Sequence, residues 1–269
     1  MNPRKIAFIN EKGGTCKTTL AVNVAAYFAQ KKGLRTLLVD MDTQGHAGKS
    51  VGLDVRNLTP NVFHLLSDPS VPFEAVAQPT AIPNLTVLPA YKEMSEFPVA
   101  VANDPRRAWR LADRLASPAA QGFDAILFDA PPSMGQATFN ILVAATEVVI
   151  PVGLTYLSLD GCAEVVETVR RVAEQHQRPD LHVSLVVPTL YRKTTLADEI
   201  LEKLKSYFPD RCAKNSLGMN VKIDEAQSHG QTIWEYAPWS RGAQMLQEIA
   251  EEVFDAEKAE SVGAGRAVA

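Results

Sequence analysis

The chain alternates short runs of apolar residues with longer amphipathic stretches. Runs rich in branched side chains predict strands at residues 6–10, 35–40, 85–90, 125–130, 148–152 and 182–188. Helical periodicity predicts helices over residues 18–32, 105–116, 137–145, 159–176, 195–207 and 241–257. This alternation is typical of parallel strands joined by right-handed helical crossovers. It predicts an α/β fold with a mostly parallel, twisted sheet and helices on both faces.

The same pattern indicates the number and extent of the domains. We expect residues 1–257 to form a single domain, because no Gly/Ser linker or internal repeat interrupts the alternation. The proline-rich stretch 59–83 is predicted to be a surface excursion rather than a domain boundary. Residues 258–269 have no apolar face, so we expect a disordered tail there.

Composition and charge narrow the class of protein. The 269 residues are 46% hydrophobic and carry a formal net charge of -4, which argues against a protein that is basic all over. A local basic face can still bind nucleic acid. No stretch approaches the roughly 18 apolar residues of a membrane span, so we expect a cytoplasmic protein without a membrane partner. Cys16, Cys162 and Cys212 lack the spacing of a disulfide framework or metal site.

Residues 10–20, NEKGGTCKTTL, lie between a predicted strand and a predicted helix, which is where a phosphate-binding loop occurs. The common pattern G-x-x-x-x-G-K-[ST] would need glycine at 11 and 16. Here Gly13 and Gly14 allow backbone N–H groups to converge on an anion. Lys17 would reach the β- and γ-phosphates, and the Thr18 hydroxyl would ligate Mg²⁺. The alternative is a glycine turn that caps an ordinary helix.

Three aspartates follow predicted strands. Asp40 and Asp42 lie at the end of LLVDMD, and Asp129 ends the run AILFD. Ligands of open parallel sheets bind at the carboxyl ends of the strands, so all three should lie beside the loop. Asp129 would hold hydrated Mg²⁺ through water, Asp42 would orient an attacking water, and Asp40 is a further candidate metal ligand. A lone aspartate at a strand end is often only a cap.

These motifs together resemble the ParA/MinD family of ATPases. KGGTCKTT looks like the family's deviant Walker A loop, K-G-G-x-x-K-T-[ST]. DMDTQG is similar to D-x-D-P-Q-G, with Thr43 in place of proline, and FDAILFDAPPS is close to its Walker B motif. Residues 151–161 resemble the family's segment after the next strand, and residues 221–243 follow the C-terminal signature of the ParA branch. The resemblance covers residues 5–255 and implies a P-loop NTPase-like fold.

The resemblance implies ATP and Mg²⁺ as cofactors. It assigns the phosphates to Lys12, Gly13, Gly14, Thr15, Cys16, Lys17, Thr18 and Thr19, and catalysis to Lys12, Lys17, Asp42 and Asp129. Lys12 corresponds to the family's signature lysine, which reaches the partner's phosphates in an ATP-sandwiched homodimer. Such a cation would offset the negative charge between two facing nucleotides. The alternative is a solvated loop lysine.

Two further expectations concern the adenine base and Cys16. The resemblance places adenine beside Pro188 and Thr189. Cys16 replaces a glycine that is usual in the family, and it has two interpretations. It is either a small residue that fits, or a thiol of lowered pKa that is open to oxidation at a helix N-terminus.

The resemblance also implies non-specific binding of double-stranded DNA through basic residues near the C-terminal third. The candidates are Arg192, Lys193, Lys214 and Lys222. The alternative is a solvated helix face, because acidic residues are interspersed in this run. His229, Trp234 and Trp239 are interpreted as turn and core residues.

The favoured function is a ParA-like ATPase that positions or segregates DNA or another large cargo. A cargo-bound activator protein would stimulate slow hydrolysis by the nucleoid-associated dimer, and we expect no N-terminal helix-turn-helix domain. The alternative is a MinD-like ATPase of the membrane surface, but DAEKAESVGAGRAVA offers no amphipathic helix for that role. A metal-cluster reductase lacks the cysteines, and Asp42 and Asp129 argue against a scaffold without turnover.

Overall fold

The computed structural model describes residues 3–155 and 158–263. Within these ranges eight strands form one sheet, and every pair of neighbours is parallel except the short β3, which is antiparallel to β4. The strands are β1 Arg4–Phe8, β2 Thr36–Asp40, β3 Gln78–Pro79, β4 Leu85–Leu88, β5 Ala125–Asp129, β6 Glu147–Gly153, β7 His182–Tyr191 and β8 Leu217–Gly218. The predicted α/β architecture is confirmed.

The strand order is β3-β4-β2-β5-β1-β6-β7-β8, so β1 lies inside the sheet between β5 and β6. The α-helices are α1 Lys17–Lys31, α2 His46–Lys49, α3 Val62–Ser67, α4 Phe73–Val76, α5 Phe97–Ala100, α6 Arg110–Leu115, α7 Gln136–Ala144, α8 Ser158–Gln175, α9 Thr195–Tyr207, α10 Val221–Ser228, α11 Ile233–Tyr236 and α12 Arg241–Gly263. Short 3₁₀ turns cover Lys92–Ser95 and Ala120–Gly122. No helix of the described ranges is long and apolar enough to cross a membrane.

Helices cover both faces of the sheet, because successive strand residues point to opposite sides. Ile6 and Phe8 of β1 pack in one cluster with α1 and α10 to α12. Ala7 packs in the other cluster, with α3 to α9. The predicted long strands and helices occur, with ends that move by a few residues.

Three local predictions were wrong. The helix expected over 105–116 begins only at Arg110, because the Asp104 carboxylate accepts the Arg106 N–H and holds a turn. The stretch 59–83 is not merely a surface excursion, since α3 buries Val62, Leu65 and Leu66. Helix α12 continues to Gly263, beyond the expected end at 257, because no helix breaker precedes that glycine. Residues 264–269 of the expected tail lie outside the described ranges.

A buried ion pair joins the first strand to the last helix. The Arg4 guanidinium donates to both carboxylate oxygens of Glu147 on β6, at 2.8 and 2.7 Å. It also donates to the carbonyls of Val253 and Phe254 in α12, both at 2.9 Å. The two side chains are only 10% and 6% exposed. The pair therefore fixes α12 against the sheet, and each charge depends on the other.

We predict that Arg4→Met lowers the free energy of unfolding by about 3–5 kcal/mol, because Glu147 would remain buried without its partner. Urea titration followed by circular dichroism measures this change. The matched control is Arg35→Met, which breaks an ion pair with Asp124 whose side chains are 61% and 40% exposed. The control should cost much less, because water screens exposed pairs. Equal losses in the two variants would contradict the assigned importance of the Arg4 pair.

Candidate nucleotide-binding site

The loop after β1 is held open by its backbone conformation and by Asn10. Gly14 has φ +72° and Cys16 has φ 68°, so the chain turns twice through the left-handed region before α1 begins. The Asn10 side chain accepts the Lys12 N–H at 2.9 Å and donates to the Pro151 carbonyl at 2.7 Å. A Cβ atom added to Gly13 or Gly14 would meet nothing within 4 Å. The concave side of the loop therefore has room for an anion.

Lys17, the first residue of α1, is buried inside this loop. Its Nζ donates to the Lys12 carbonyl at 3.1 Å, and the Thr15 hydroxyl donates to the same carbonyl at 3.3 Å. Burial lowers the pKa of Lys17, while the carboxylates of Asp129 and Asp42 oppose that shift. The ammonium is thus preorganised between the loop and the acidic ends of the strands.

Asp40 and Asp129 face each other across β2 and β5, where they pair in register, and both are fully buried. The Asp40 carboxylate accepts backbone N–H groups from Asp42 at 3.0 Å, Ala47 at 3.1 Å and Gly48 at 3.4 Å. Burial and the neighbouring Asp129 raise the pKa of Asp40, although those N–H groups oppose the shift. Asp40 thereby holds the loop after β2 and the start of α2.

Asp129 differs from Asp40 in its hydrogen bonding, because neither of its buried carboxylate oxygens has a hydrogen-bond partner. Burial raises the pKa of Asp129 to about 7 and Asp42 adds to the shift, whereas the nearby Thr18 hydroxyl and Lys17 oppose it. A buried acceptor without a partner costs free energy unless a cation or water meets it. Carboxylate and hydroxyl oxygens suit Mg²⁺. The residues present therefore fit a hydrated Mg²⁺ between Thr18 and Asp129.

Asp42 lies half-buried on the wall of the cleft in front of the loop. Its Oδ1 accepts the Gln44 N–H at 3.0 Å and the Thr43 hydroxyl at 3.3 Å. These bonds fix one oxygen of the carboxylate and leave the group beside the phosphate loop. The three aspartates predicted from strand ends are thus brought together with Lys17, as the chain order indicated.

The cleft has a volume of about 710 Å³ and lies between the loop, α2 and α10. Residues 13–19 line it, together with Asp42 and Pro132. Sequence reasoning missed the other lining residues, which are Gln44, His46, Lys49, Ser50, Leu190, Asp224, Gln227 and Ser228. A signal was available for α10, since Asp224, Gln227 and Ser228 follow an i, i+3, i+4 spacing and share one helix face.

The C-terminal signature segment is bonded directly to the phosphate-loop helix. Gln227 Nε2 donates to the Thr19 hydroxyl at 2.9 Å. Asn23 of α1 accepts the Ile233 N–H with its side chain and the Trp234 indole N–H with its carbonyl, both at 3.0 Å. Trp234 is therefore a structural residue, as predicted, and α10 is part of the cleft rather than a separate surface element.

Lys12 differs from Lys17 in its direction. Its side chain is not among the groups that line the described cleft. Instead it runs along the first part of α8, where its Cε would lie 3.5 Å from a Cβ added to Gly161. Residues 156 and 157 of the motif-bearing segment 151–161 lie outside the described ranges. The side chains of Lys12 and Lys17 thus lie on different sides of the loop.

Thr189 lies behind the loop, and Cys16 lies within it. The fully buried Thr189 hydroxyl donates to the Thr15 carbonyl at 3.2 Å, and Pro188 pairs with Val152 inside the sheet. Leu190 is the residue of this strand that lines the cleft. The adenine position beside Pro188 and Thr189 stays a prediction. Burial, with Asp224 adding, raises the pKa of Cys16 to about 11. This favours the interpretation of Cys16 as a small residue that fits over that of a reactive thiol.

The candidate DNA-binding residues divide into two groups. Arg192 follows β7, and its guanidinium contacts Met219 Sδ at 2.8 Å just beyond β8, while Lys222 lies three residues further on. Lys193 is exposed beside Arg192. Lys214 lies before β8, where its backbone N–H donates to Glu252 of α12 at 2.7 Å. Arg192 therefore contacts the segment that leads from β8 to Lys222, whereas Lys214 precedes β8.

Trp239 is a turn residue, in keeping with the interpretation from the sequence, and lies at the turn before α12. Its side chain is 82% exposed, so it is not part of the core. The adjacent Pro238 and the hydrogen bond from Ser240 N–H to the Ala237 carbonyl hold this turn away from the core. His229 stacks on Tyr236 at a centroid distance of 5.2 Å, in keeping with a turn residue.

A glycine-bearing loop between β1 and α1, with a buried lysine and acidic strand ends beside it, defines a P-loop nucleotide-binding protein. A family described as an AAA domain matches residues 3–183. The chain is 36% identical to the sporulation initiation inhibitor protein Soj of Bacillus subtilis, over 92% of this chain and 97% of that protein. It is 34% identical to the chromosome partitioning protein ParA of Myxococcus xanthus, over 93% and 88%. The chain belongs to the ParA/MinD family of P-loop ATPases, in its small ParA branch.

A solved structure has the same fold. Cobyrinic acid a,c-diamide synthase from Mycobacterium smegmatis, with bound ATP analogue and magnesium, superposes with a TM-score of 0.82 at 27% identity, covering 96% of both chains. The predicted family and the P-loop NTPase-like fold are confirmed.

We predict that Thr189→Val weakens binding of ATP and GTP by the same factor, about three- to tenfold, because the lost hydroxyl orders the loop from behind. Titrations with fluorescent ATP and GTP analogues measure the two affinities. The control is Thr36→Val, a fully buried threonine of β2 whose hydroxyl donates to Leu34 away from the cleft. A changed preference between ATP and GTP would instead place Thr189 against the base.

Proposed function

We propose that the protein is a ParA-type ATPase that closes into a homodimer around two Mg-ATP molecules and positions DNA or another large cargo. The observation that carries this proposal is the divergence of the two loop lysines. Lys17 is buried in the phosphate loop, whereas the Lys12 side chain runs outside its own cleft along α8. A lysine placed there suits contact with the nucleotide of a second copy of the chain.

The residues of the site have separate roles in hydrolysis. Backbone N–H groups of the loop and the Lys17 ammonium bind and orient the phosphates. Thr18 and, through water, Asp129 hold Mg²⁺, which when bound supplies charge neutralisation at the β- and γ-phosphates. Asp42 orients the attacking water, since its carboxylate lies on the wall beside the loop. The partner's Lys12, by symmetry, adds positive charge only in the dimer.

The dimer would bind double-stranded DNA without sequence preference, through Arg192, Lys193 and Lys222 with Lys214 at a greater distance. Contacts to phosphates give this type of binding and make it depend on salt. A cargo-bound activator protein would stimulate hydrolysis and release the dimer from the nucleoid. The name of the relative from Myxococcus, a chromosome partitioning protein, supports a role in partition.

We predict that Lys12→Ala weakens ATP-dependent dimerisation at least about tenfold but leaves ATP bound to the monomer, because charge-assisted contacts across the interface are lost. Light scattering coupled to size exclusion, with a non-hydrolysable ATP analogue, measures the dimer. Equilibrium dialysis measures bound nucleotide. Lys17→Ala should abolish both properties.

The control for Lys12 is Lys31→Ala, which removes an exposed lysine from the far end of α1. It should dimerise like the wild type. Wild-type dimerisation by Lys12→Ala would refute the proposed contact across the dimer.

We predict that Lys222→Ala weakens DNA binding by a similar factor for all sequences, since Lys222 contacts phosphate rather than bases. The slope of log affinity against log salt should become shallower by about 0.9. Fluorescence anisotropy with two unrelated duplexes at several salt concentrations measures both effects.

The control here is Lys92→Ala, beyond β4 near the opposite edge of the sheet. It should leave the affinity and the salt slope unchanged. A sequence-dependent effect of Lys222→Ala would show that this residue reads bases.

A further inference from the structure

An exposed apolar group adjoins the basic residues at the carboxyl ends of β7 and β8. Trp239 is 82% exposed, Val221 69% and Met219 55%. Solvated aromatic and aliphatic side chains that cluster together commonly mark an interaction surface. We define the Trp239 patch as Arg192, Met219, Val221, Lys222, Tyr236 and Trp239.

Direct contacts join the parts of this patch. The Arg192 guanidinium lies on the Met219 sulfur, at 2.8 Å from Nη2 and 3.0 Å from Nε. Lys222 Nζ lies 5.8 Å from the centre of the Tyr236 ring. Both Lys222 and Tyr236 bond the Glu225 carboxylate, at 2.7 and 3.0 Å. One carboxylate thus holds a cation and an aromatic ring side by side.

The start of α12 brings Trp239 to the same place. A Cβ added to Gly242 would lie 2.9 Å from Asn220 Oδ1 and 3.0 Å from an Ile223 side-chain carbon, so the absence of a side chain lets α12 pack against the beginning of α10. Trp239 is three residues before Gly242, and Asn220 is two residues before Lys222. The exposed Trp239 thus lies on the turn between Tyr236 and Gly242, both of which lie against α10, and this turn is near the basic group.

We propose that the Trp239 patch is the part of the DNA-binding surface that contacts sugars and bases, with the Trp239 ring stacking or wedging against the duplex. This inference rests on the proposed function. Aromatic and apolar side chains beside cations contact nucleic acid in this way without requiring a defined sequence. A membrane surface fits less well, because the patch is built on a turn and a short helix, without the long apolar helix face that such binding uses.

The proposal has a signature that separates it from phosphate binding. An apolar contact releases no counterions, so its loss should reduce affinity without changing the salt slope. Trp239→Ala should bind duplex DNA about 5- to 20-fold more weakly than wild type with the ATP analogue, at every salt concentration. Trp239→Phe should recover most of the affinity. Lys222→Ala, by contrast, should flatten the slope.

Anisotropy titrations of wild type, Trp239→Ala, Trp239→Phe and Tyr207→Ala test the proposal. Tyr207 is a matched control, since it is 70% exposed and lies at the far end of α9 from Arg192. Tyr207→Ala should bind like the wild type. Circular dichroism checks that each variant is folded.

The outcomes are distinct. If Trp239→Ala binds DNA with wild-type affinity, the inference is overturned and the proposed function is left intact. The same holds if Trp239→Ala loses binding only to vesicles of anionic lipid. A flattened salt slope in Trp239→Ala also overturns it, because the effect would then be electrostatic. Failure of the wild type to bind any DNA overturns the proposed function and the inference together.

Discussion

The register between β2 and β5 places two buried carboxylates, Asp40 and Asp129, side by side. Neighbouring strands lie only about 4.8 Å apart, so the charges cannot separate. Asp40 is stabilised by backbone N–H groups of the loop that follows β2. Asp129 has no hydrogen-bond partner and needs positive charge in front of it. The buried ammonium of Lys17 supplies positive charge to Asp129, and a cation bound beside Thr18 would supply more.

This constraint explains why the loop has its particular form. A lysine buried beside carboxylates has its ammonium fixed, and the Lys12 carbonyl accepts its hydrogen bond. Asn10 and Thr189 hold the same loop from the side and from behind, through Pro151 and Thr15. The loop is therefore held by hydrogen bonds from several sides. Preorganisation of this kind lowers the entropic cost of binding phosphate.

The sequence alone was sufficient for the loop, for the acidic strand ends and for the six longer strands, but not for the two-residue strands β3 and β8. In each case the signal is local, because a glycine pair, a terminal aspartate or an apolar run is read within about ten residues. The wall formed by α10 could not be read in this way, since Gln227 and Thr19 are 208 positions apart. The same applies to Asn10 and Pro151, which are 141 positions apart. Exposure of Trp239 depends on the turn before α12, and the hydrophobic spacing of the sequence does not encode it.

Two faces of helix α10 have different surroundings. Asp224 and Gln227 line the cleft, while Lys222 and Glu225 lie on the opposite side among the exposed basic and aromatic groups. A helix is about 10 Å across, so the interior of the cleft and the outer surface are separated by the thickness of a single element. The cleft and the exposed basic surface therefore share one short helix.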